Sequence, residues 1–260
     1  MKLECRNLSK IFREGQRETQ ALADISFSTS EGEFLCILGP SGCGKSTLLK
    51  IISGLSDPTS GEVIYSGDDK SGPKNSMVFQ EHSVFPWMNV IDNVAFGLEM
   101  RGVSKKERYA SSLEFLKRVG LAQYAYRNPH ELSVGMRQRI AIARAFVNNP
   151  EILLMDEPFG ALDAQTRFIL QTELLRIWKD TNKTVIFVTH DIDEAILLGD
   201  RVIALTSVPG RIKADMQVRI DRPRNIQAEN TQEFLDLRMN IWNLIRKEVE
   251  NSITGDNETS

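Results

Sequence analysis

Apolar positions along this chain change their period several times, and each change marks an element boundary. Short β-type runs alternate with turn signals at the start: Leu22–Ser28, a turn at Glu31-Gly32-Glu33, then Phe34-Leu35-Cys36-Ile37-Leu38, which predicts a buried strand. Gly39-Pro40-Ser41-Gly42-Cys43-Gly44 stops that strand. From Lys45 the period becomes helical, with Leu48, Leu49, Ile51 and Ile52 on one face and Gly54 as the stop. Strands are expected again at Glu62–Tyr65 and Ser76–Phe79. Helical spacing dominates from Val90 to Asn149, including the charged stretch Ser104–Arg108, a solvated helix face, and the amphipathic Leu113–Val119. Strand-type runs return at Glu151–Met155 and Thr184–Thr189, on either side of a helix around Thr166–Lys179. This alternation predicts an α/β fold with a mostly parallel sheet and a helical insertion. After Arg224, Phe234, Leu237, Ile241, Leu244, Ile245 and Val249 keep helical spacing and read as a packed cap, while Asn251–Ser260 reads as a polar, disordered tail.

Composition narrows the picture. The 260 residues, 41% hydrophobic and 26% charged, suffice for one large domain or two small ones, which excludes a low-complexity chain. With 32 basic against 35 acidic residues the formal charge is -3, so no nucleic-acid partner is expected, although a local phosphate site stays open. Runs such as Ile152–Met155 and Ala195–Leu198 fall far short of the roughly 18 apolar residues a membrane span requires. Met1–Arg6 lacks the apolar stretch of a secretory leader. Cys5, Cys36 and Cys43 form an odd set without metal-ligand spacing, which fits a reducing cytoplasm.

The sharpest chemical signal is Gly39-Pro40-Ser41-Gly42-Cys43-Gly44-Lys45-Ser46, a G-x-x-x-x-G-K-[ST] phosphate loop between a predicted strand and a predicted helix. Glycines let backbone N–H groups curl around phosphates, and the helix N-terminus adds positive potential. Lys45 can reach the β and γ oxygens, and the Ser46 hydroxyl can ligate Mg2+. Thr47 follows in the same turn. The loop predicts a nucleoside triphosphate without saying what its energy drives. Ile152-Leu153-Leu154-Met155-Asp156-Glu157 is an apolar strand ending in two acids, which suits Asp156 to the metal shell and Glu157 to orienting or deprotonating water. Taken alone, the two acids have a second reading as the cap of the next helix.

Leu132-Ser133-Val134-Gly135-Met136-Arg137-Gln138-Arg139 precedes a predicted helix, and Val188-Thr189-His190-Asp191 ends the next strand. With these, the chain resembles the nucleotide-binding subunit of an ABC (ATP-binding cassette) transporter over essentially residues 1–224. The resemblance implies a P-loop NTPase (RecA-like) fold with a mostly parallel core sheet, an antiparallel β subdomain and a helical subdomain at about 90–149, followed by a C-terminal helix and tail over 225–260. It implies that adenine stacks on Phe12, that Gln80 touches Mg2+ and the attacking water, and that His190 contacts the γ-phosphate. Ser133 and the backbone of Gly135 would meet the ATP held by the loop of an opposite subunit, making a homodimer with ATP sandwiched between copies. Asp163, in Ala161-Leu162-Asp163, would be an interface and coupling residue rather than a helix cap. His82 and His130 read as ordinary loop residues. The chain departs from the family pattern at Val134, where glycine is usual, and at Met136, where glutamine is common.

Val84-Phe85-Pro86-Trp87-Met88-Asn89-Val90, Pro209-Gly210-Arg211-Ile212 and Asp221-Arg222-Pro223-Arg224 resemble the nitrate/sulfonate/taurine import group. That likeness implies an ATPase peripheral to the cytoplasmic face of the membrane. It would work with permease subunits contacting the region around Gln80–Trp87, where Phe85 and Trp87 read as exposed, and indirectly with a solute-binding protein. Two other readings stay open at this point: a soluble ABC ATPase acting on ribosomes or DNA, and a nucleotide-binding regulator with little turnover, motivated by Val134.

Overall fold

The computed structural model describes residues 1–67, 72–80, 84–224 and 228–254. They fall into two compact units, Met1–Asp68 with Thr184–Ser260, and Asp69–Lys183.

The first unit holds an antiparallel sheet in the order β2-β1-β4, made of β1 (Lys2–Glu14), β2 (Arg17–Ser28) and β4 (Ser60–Ser66). Strand β1 is the element that the polar–apolar pattern conceals. Leu3 and Cys5 point inward with period two, then the register slips and Leu8 becomes the next buried residue. Asn7 sits in that slip with φ of 49°, and its N–H donates to Ser26 Oγ at 2.8 Å. The same unit carries β3 (Phe34–Leu38), flanked in parallel by β7 (Thr184–Thr189) and β8 (Arg201–Leu205), with β9 (Ile212–Gln217) antiparallel to β8. Every residue of β3 and β7 is buried, the pattern of parallel strands covered on both faces.

Helix α1 (Lys45–Ile52) buries the predicted Leu48, Leu49, Ile51 and Ile52, and Gly54 ends it at φ of 79°. Helix α6 (Ile192–Leu198) packs against β3. The C-terminal helix α7 (Gln232–Thr254) buries Phe234, Ile241 and Ile245 and packs against α6 and β8. Two expectations for it are corrected. Leu244 is exposed, because the buried stripe is narrower than the apolar spacing suggests. The helix also continues past Asn251 to Thr254, since polar residues cost a helix little when a packed face upstream already holds it.

In the second unit β5 (Asn75–Val78) runs parallel to β6 (Ile152–Asp156). Its helices are α2 (Val90–Met100), α3 (Lys105–Arg118), α4 (Val134–Val147) and α5 (Ala164–Thr181). Each starts on a polar cap that accepts a backbone N–H: Asn89, Ser104, Ser133 and Asp163. Ser104 and Glu107 form a reciprocal pair, so the charged stretch there is a helix start.

Fold class follows the expectation: a P-loop NTPase α/β fold with parallel core strands, an antiparallel β subdomain and a helical segment.

Candidate active site

In the first unit, β3 and β7 are in parallel register with Leu38 opposite Thr189. The chain therefore leaves both strands at one edge, into Gly39 from β3 and into His190 from β7. Register alone brings the phosphate loop and the exposed His190 together.

The loop takes the backbone that only glycine supports without strain. Gly42 and Gly44 have φ of 82° and 99°. At Gly44, the residue that opens α1, a Cβ would stand 2.8 Å from both Ala21 O and Leu22 Cδ2. Lys45 is buried, and its Nζ donates to the carbonyls of Gly39 at 2.8 Å and Pro40 at 2.9 Å. The ammonium thus lies over the same loop that would cradle phosphate oxygens. Ser46 and Thr47 are half-buried in the first turn of α1, while Ser41 and Gly42 are exposed. Cys43 is buried as a small packing residue, and a Cβ on Gly39 would stand 2.8 Å from its Sγ.

Along the chain Pro209-Gly210 is only a family marker, whereas in the fold it supports the phosphate loop. Gly210 lies under that loop, exchanging backbone hydrogen bonds with Ala21 and Ala23 at 2.9 and 3.0 Å. A Cβ there would come within 2.3 Å of Cys43 O. Phe12 stands on β1, 45% exposed, with the Lys10 ammonium over its ring, 5.3 Å from the centroid.

In the second unit β5 and β6 are parallel with Val78 opposite Met155. Phe79 and Gln80 follow β5, and Asp156 closes β6 with Glu157 next after it, at the same end of this parallel pair. Asp156 is buried, Glu157 half-buried and Gln80 exposed, a gradient that suits one acid to support and the other to reaction. Glu157 has φ of 42°. Left-handed backbone costs a residue with a Cβ about 1–2 kcal/mol, and such strain concentrates at functional positions. No residue pattern announces it.

Ser133 Oγ accepts the Met136 N–H at 3.3 Å and starts α4. Val134 follows in helical backbone outside the positive-φ region, so the missing glycine costs no strain. Gly135 has a packing reason: its Cβ would stand 2.8 Å from Thr166 Cγ2 of α5. Asp163 Oδ1 accepts the Thr166 N–H at 3.0 Å, which holds its carboxyl below the usual carboxylate range. Contrary to the expectation that it is not a cap, Asp163 caps α5, and it is exposed, as the expected interface role also requires.

Trp87 is 74% exposed. Phe85, expected to be exposed, is half-buried: its ring lies 5.3 Å from Trp87, 4.8 Å from Phe96 and 4.9 Å from the Arg144 guanidinium. It packs because helix α2 supplies Phe96 beneath it. Glu81, His82 and Ser83 lie outside the described residues, and His130 is exposed in a short 3-10 turn.

Comparison with known proteins gives the family. The family model described as ABC transporter matches residues 22–160. An uncharacterized ABC transporter ATP-binding protein of Methanocaldococcus jannaschii is 49% identical over 255 residues, covering 97% of this chain and 94% of that one. The taurine import ATP-binding protein TauB of Roseobacter denitrificans is 44% identical over 92% of this chain and 91% of its own. The nitrate import ATP-binding protein NrtD of Synechocystis is 41% identical, over 95% and 96%. Among solved structures, the dimeric bacterial ABC transporter cassette MJ0796 superposes with a TM-score of 0.74 at 36% identity, covering 84% of this chain and 100% of that one. The same cassette in a post-hydrolysis state bound to ADP and Pi gives 0.74 at 35%, with the same coverage.

Proposed function

The chain belongs to the ABC transporter family and is an ATPase; we propose that it is the ATP-hydrolysing subunit of an importer for a small solute of the nitrate, sulfonate or taurine kind. The strand register supports the catalytic part of this reading, since the phosphate loop and His190 follow paired parallel strands at one edge, as Gln80 and Asp156-Glu157 do in the other unit. The import part rests on relatives whose names specify taurine and nitrate import and that match nearly end to end.

In this reading Phe12 stacks on adenine, and Gly39, Pro40, Ser41, Gly42, Cys43, Gly44 and Thr47 line the phosphates. Glu157 orients a water and draws a proton from it as its oxygen attacks the γ-phosphorus; the bond to the bridging oxygen breaks and ADP leaves. Lys45 with its ammonium charge and His190 as a hydrogen-bond donor face the γ-phosphoryl oxygens, where preorganised donors lower the barrier. Ser46, Asp156 and Gln80 carry the hard oxygen donors that would hold Mg2+, which would supply neutralisation of phosphate charge. Ser133 and the Gly135 N–H of a second copy complete each site, so ATP is sandwiched in a homodimer. Closure on ATP and reopening after hydrolysis then drive the transporter.

Among the described residues no helix is long and apolar enough to cross a membrane. The proposed membrane contact is through permease subunits docking around Gln80–Trp87, where Trp87 offers an exposed aromatic on a packed base, on the cytoplasmic face. A solute-binding protein would act through those subunits.

The experiment is affinity purification of the tagged chain from its own membranes, with Phe85→Ala and Trp87→Ala together as control. Recovery of a multi-span membrane protein by the native chain and its loss from the double variant, with ATP binding retained, is expected. Recovery of ribosomes or DNA instead would refute the importer reading.

A further inference from the structure

We propose that Thr189 and Glu194 are positioning residues for His190, an inference that rests on reading His190 as the γ-phosphate contact. Thr189 ends β7 with 1% exposure, and Glu194 lies in the first turn of α6 with 7% exposure. The Thr189 hydroxyl donates to Glu194 Oε2 and accepts the Asp191 N–H at 3.0 Å. Asp191 Oδ1 in turn accepts the Glu194 N–H at 3.1 Å. The residues on both sides of His190 are therefore tied to one another through a single hydroxyl, and that hydroxyl is tied to a carboxylate.

The carboxylate has a specific physical use. A hydroxyl rotates, and between two neutral acceptors its proton has no fixed direction. Beside a carboxylate it donates there, which turns an oxygen lone pair toward the Asp191 N–H and strengthens both bonds. Burying a carboxylate is costly unless it is paired, and an apolar pair would fill this space at lower cost. The arrangement makes sense as a fixed pedestal: His190 is exposed while the turn that carries it is pinned from beneath. Because Leu38, just before the phosphate loop, pairs with Thr189, the pedestal also sets where the turn stands along that loop.

The proposal is tested by steady-state ATP hydrolysis of the full chain. Thr189→Val keeps the side-chain shape and removes the hydroxyl. It should lower kcat by about 10- to 100-fold with KM for Mg-ATP changed by no more than about twofold, because misplacing a reacting group costs the transition state rather than ground-state binding. Thr189→Ser should restore kcat to within about threefold of the native value. On a His190→Ala background, Thr189→Val should add less than about twofold, since it acts through a side chain already gone. If Thr189→Val does not fold, Glu194→Gln carries the same comparison, with a kcat loss of about tenfold expected at unchanged KM. A native kcat in Thr189→Val or Glu194→Gln while His190→Ala is impaired overturns the inference and leaves His190 standing. So does an undiminished Thr189→Val penalty on the His190→Ala background. A native kcat in His190→Ala overturns the reading of His190 itself, and this inference with it.

Discussion

Replacing Arg224 with methionine probes the C-terminal support of α6, the helix that follows the His190 turn. Arg224 is almost fully buried, and its guanidinium donates to four backbone carbonyls: Ile196 at 2.9 Å, Gly199, Val218 at 3.3 Å and Ile220 at 2.9 Å. Two of these belong to the end of α6, where helix carbonyls lack partners of their own. A hydrogen bond to a charged group contributes about 1.5–3 kcal/mol, so four at the low end represent about 6 kcal/mol gross. Against this, burial pushes the Arg224 pKa down to about 10 from 12.5, and desolvation of the guanidinium offsets roughly half of that gross gain. Methionine fills the stem volume and removes both terms, leaving the carbonyls unpaired. The net loss is about 3 kcal/mol, and at roughly 2–4 °C per kcal/mol for a chain of this size Tm should fall by about 6–12 °C. Arg224→Lys, which keeps the charge but has no planar fork, should fall in between. Thermal melting with and without Mg-ATP measures both. An Arg224→Met protein melting within about 2 °C of the native one would refute the accounting.

Three further outcomes are expected. Gly210→Ala places a Cβ 2.3 Å from Cys43 O, so the phosphate loop must shift, and equilibrium titration should show Mg-ATP binding weakened about tenfold with the fold retained; a Kd within about twofold of native would show that the contact relaxes freely. Glu157→Gln keeps shape and hydrogen-bonding capacity but loses the base, so phosphate release should drop by about 10²–10⁴-fold while Mg-ATP still binds, and full turnover would remove Glu157 from its role. Burial pushes the Cys5 thiol up to about 12 from 9.0: below pH 9 folded and unfolded chains are both protonated and stability is complete, whereas between pH 9 and about 12 the unfolded chain ionises first and stability falls by about 1.4 kcal/mol per pH unit. Denaturant titrations at pH 8 and pH 10.5 should therefore show Cys5→Ser losing less stability over this interval than the native chain, and equal losses would contradict the assignment.

Much of this protein was legible along the chain because its chemistry is local. A phosphate loop needs its glycines, lysine and serine within eight residues, and an apolar run ending in Asp156-Glu157 needs only a strand to present it. β3 and β7 read clearly since strands covered on both faces are apolar throughout. β1 did not, because the slip at Asn7 breaks its alternation midway and the pattern only makes sense once β2 and β4 flank it. Family likeness supplied roles for Phe12, Gln80 and Ser133 that no periodicity contains.

What only the tertiary structure decided depends on residues far apart in sequence meeting. Strand register brought Gly39 and His190 to one edge of the β3–β7 pair, and Gln80 and Glu157 to one edge of the β5–β6 pair. Gly210 acquired its importance from Cys43 O, Gly135 from Thr166, and Arg224 from four carbonyls spread from Ile196 to Ile220. Glu157 is strained and Phe85 is packed rather than exposed, and neither fact is a property of the residue type. Residue identity determines which chemistry is possible, since that is a matter of side-chain atoms and short spacings. Which groups act together is settled by close packing and strand register, and these exist only once the chain has folded.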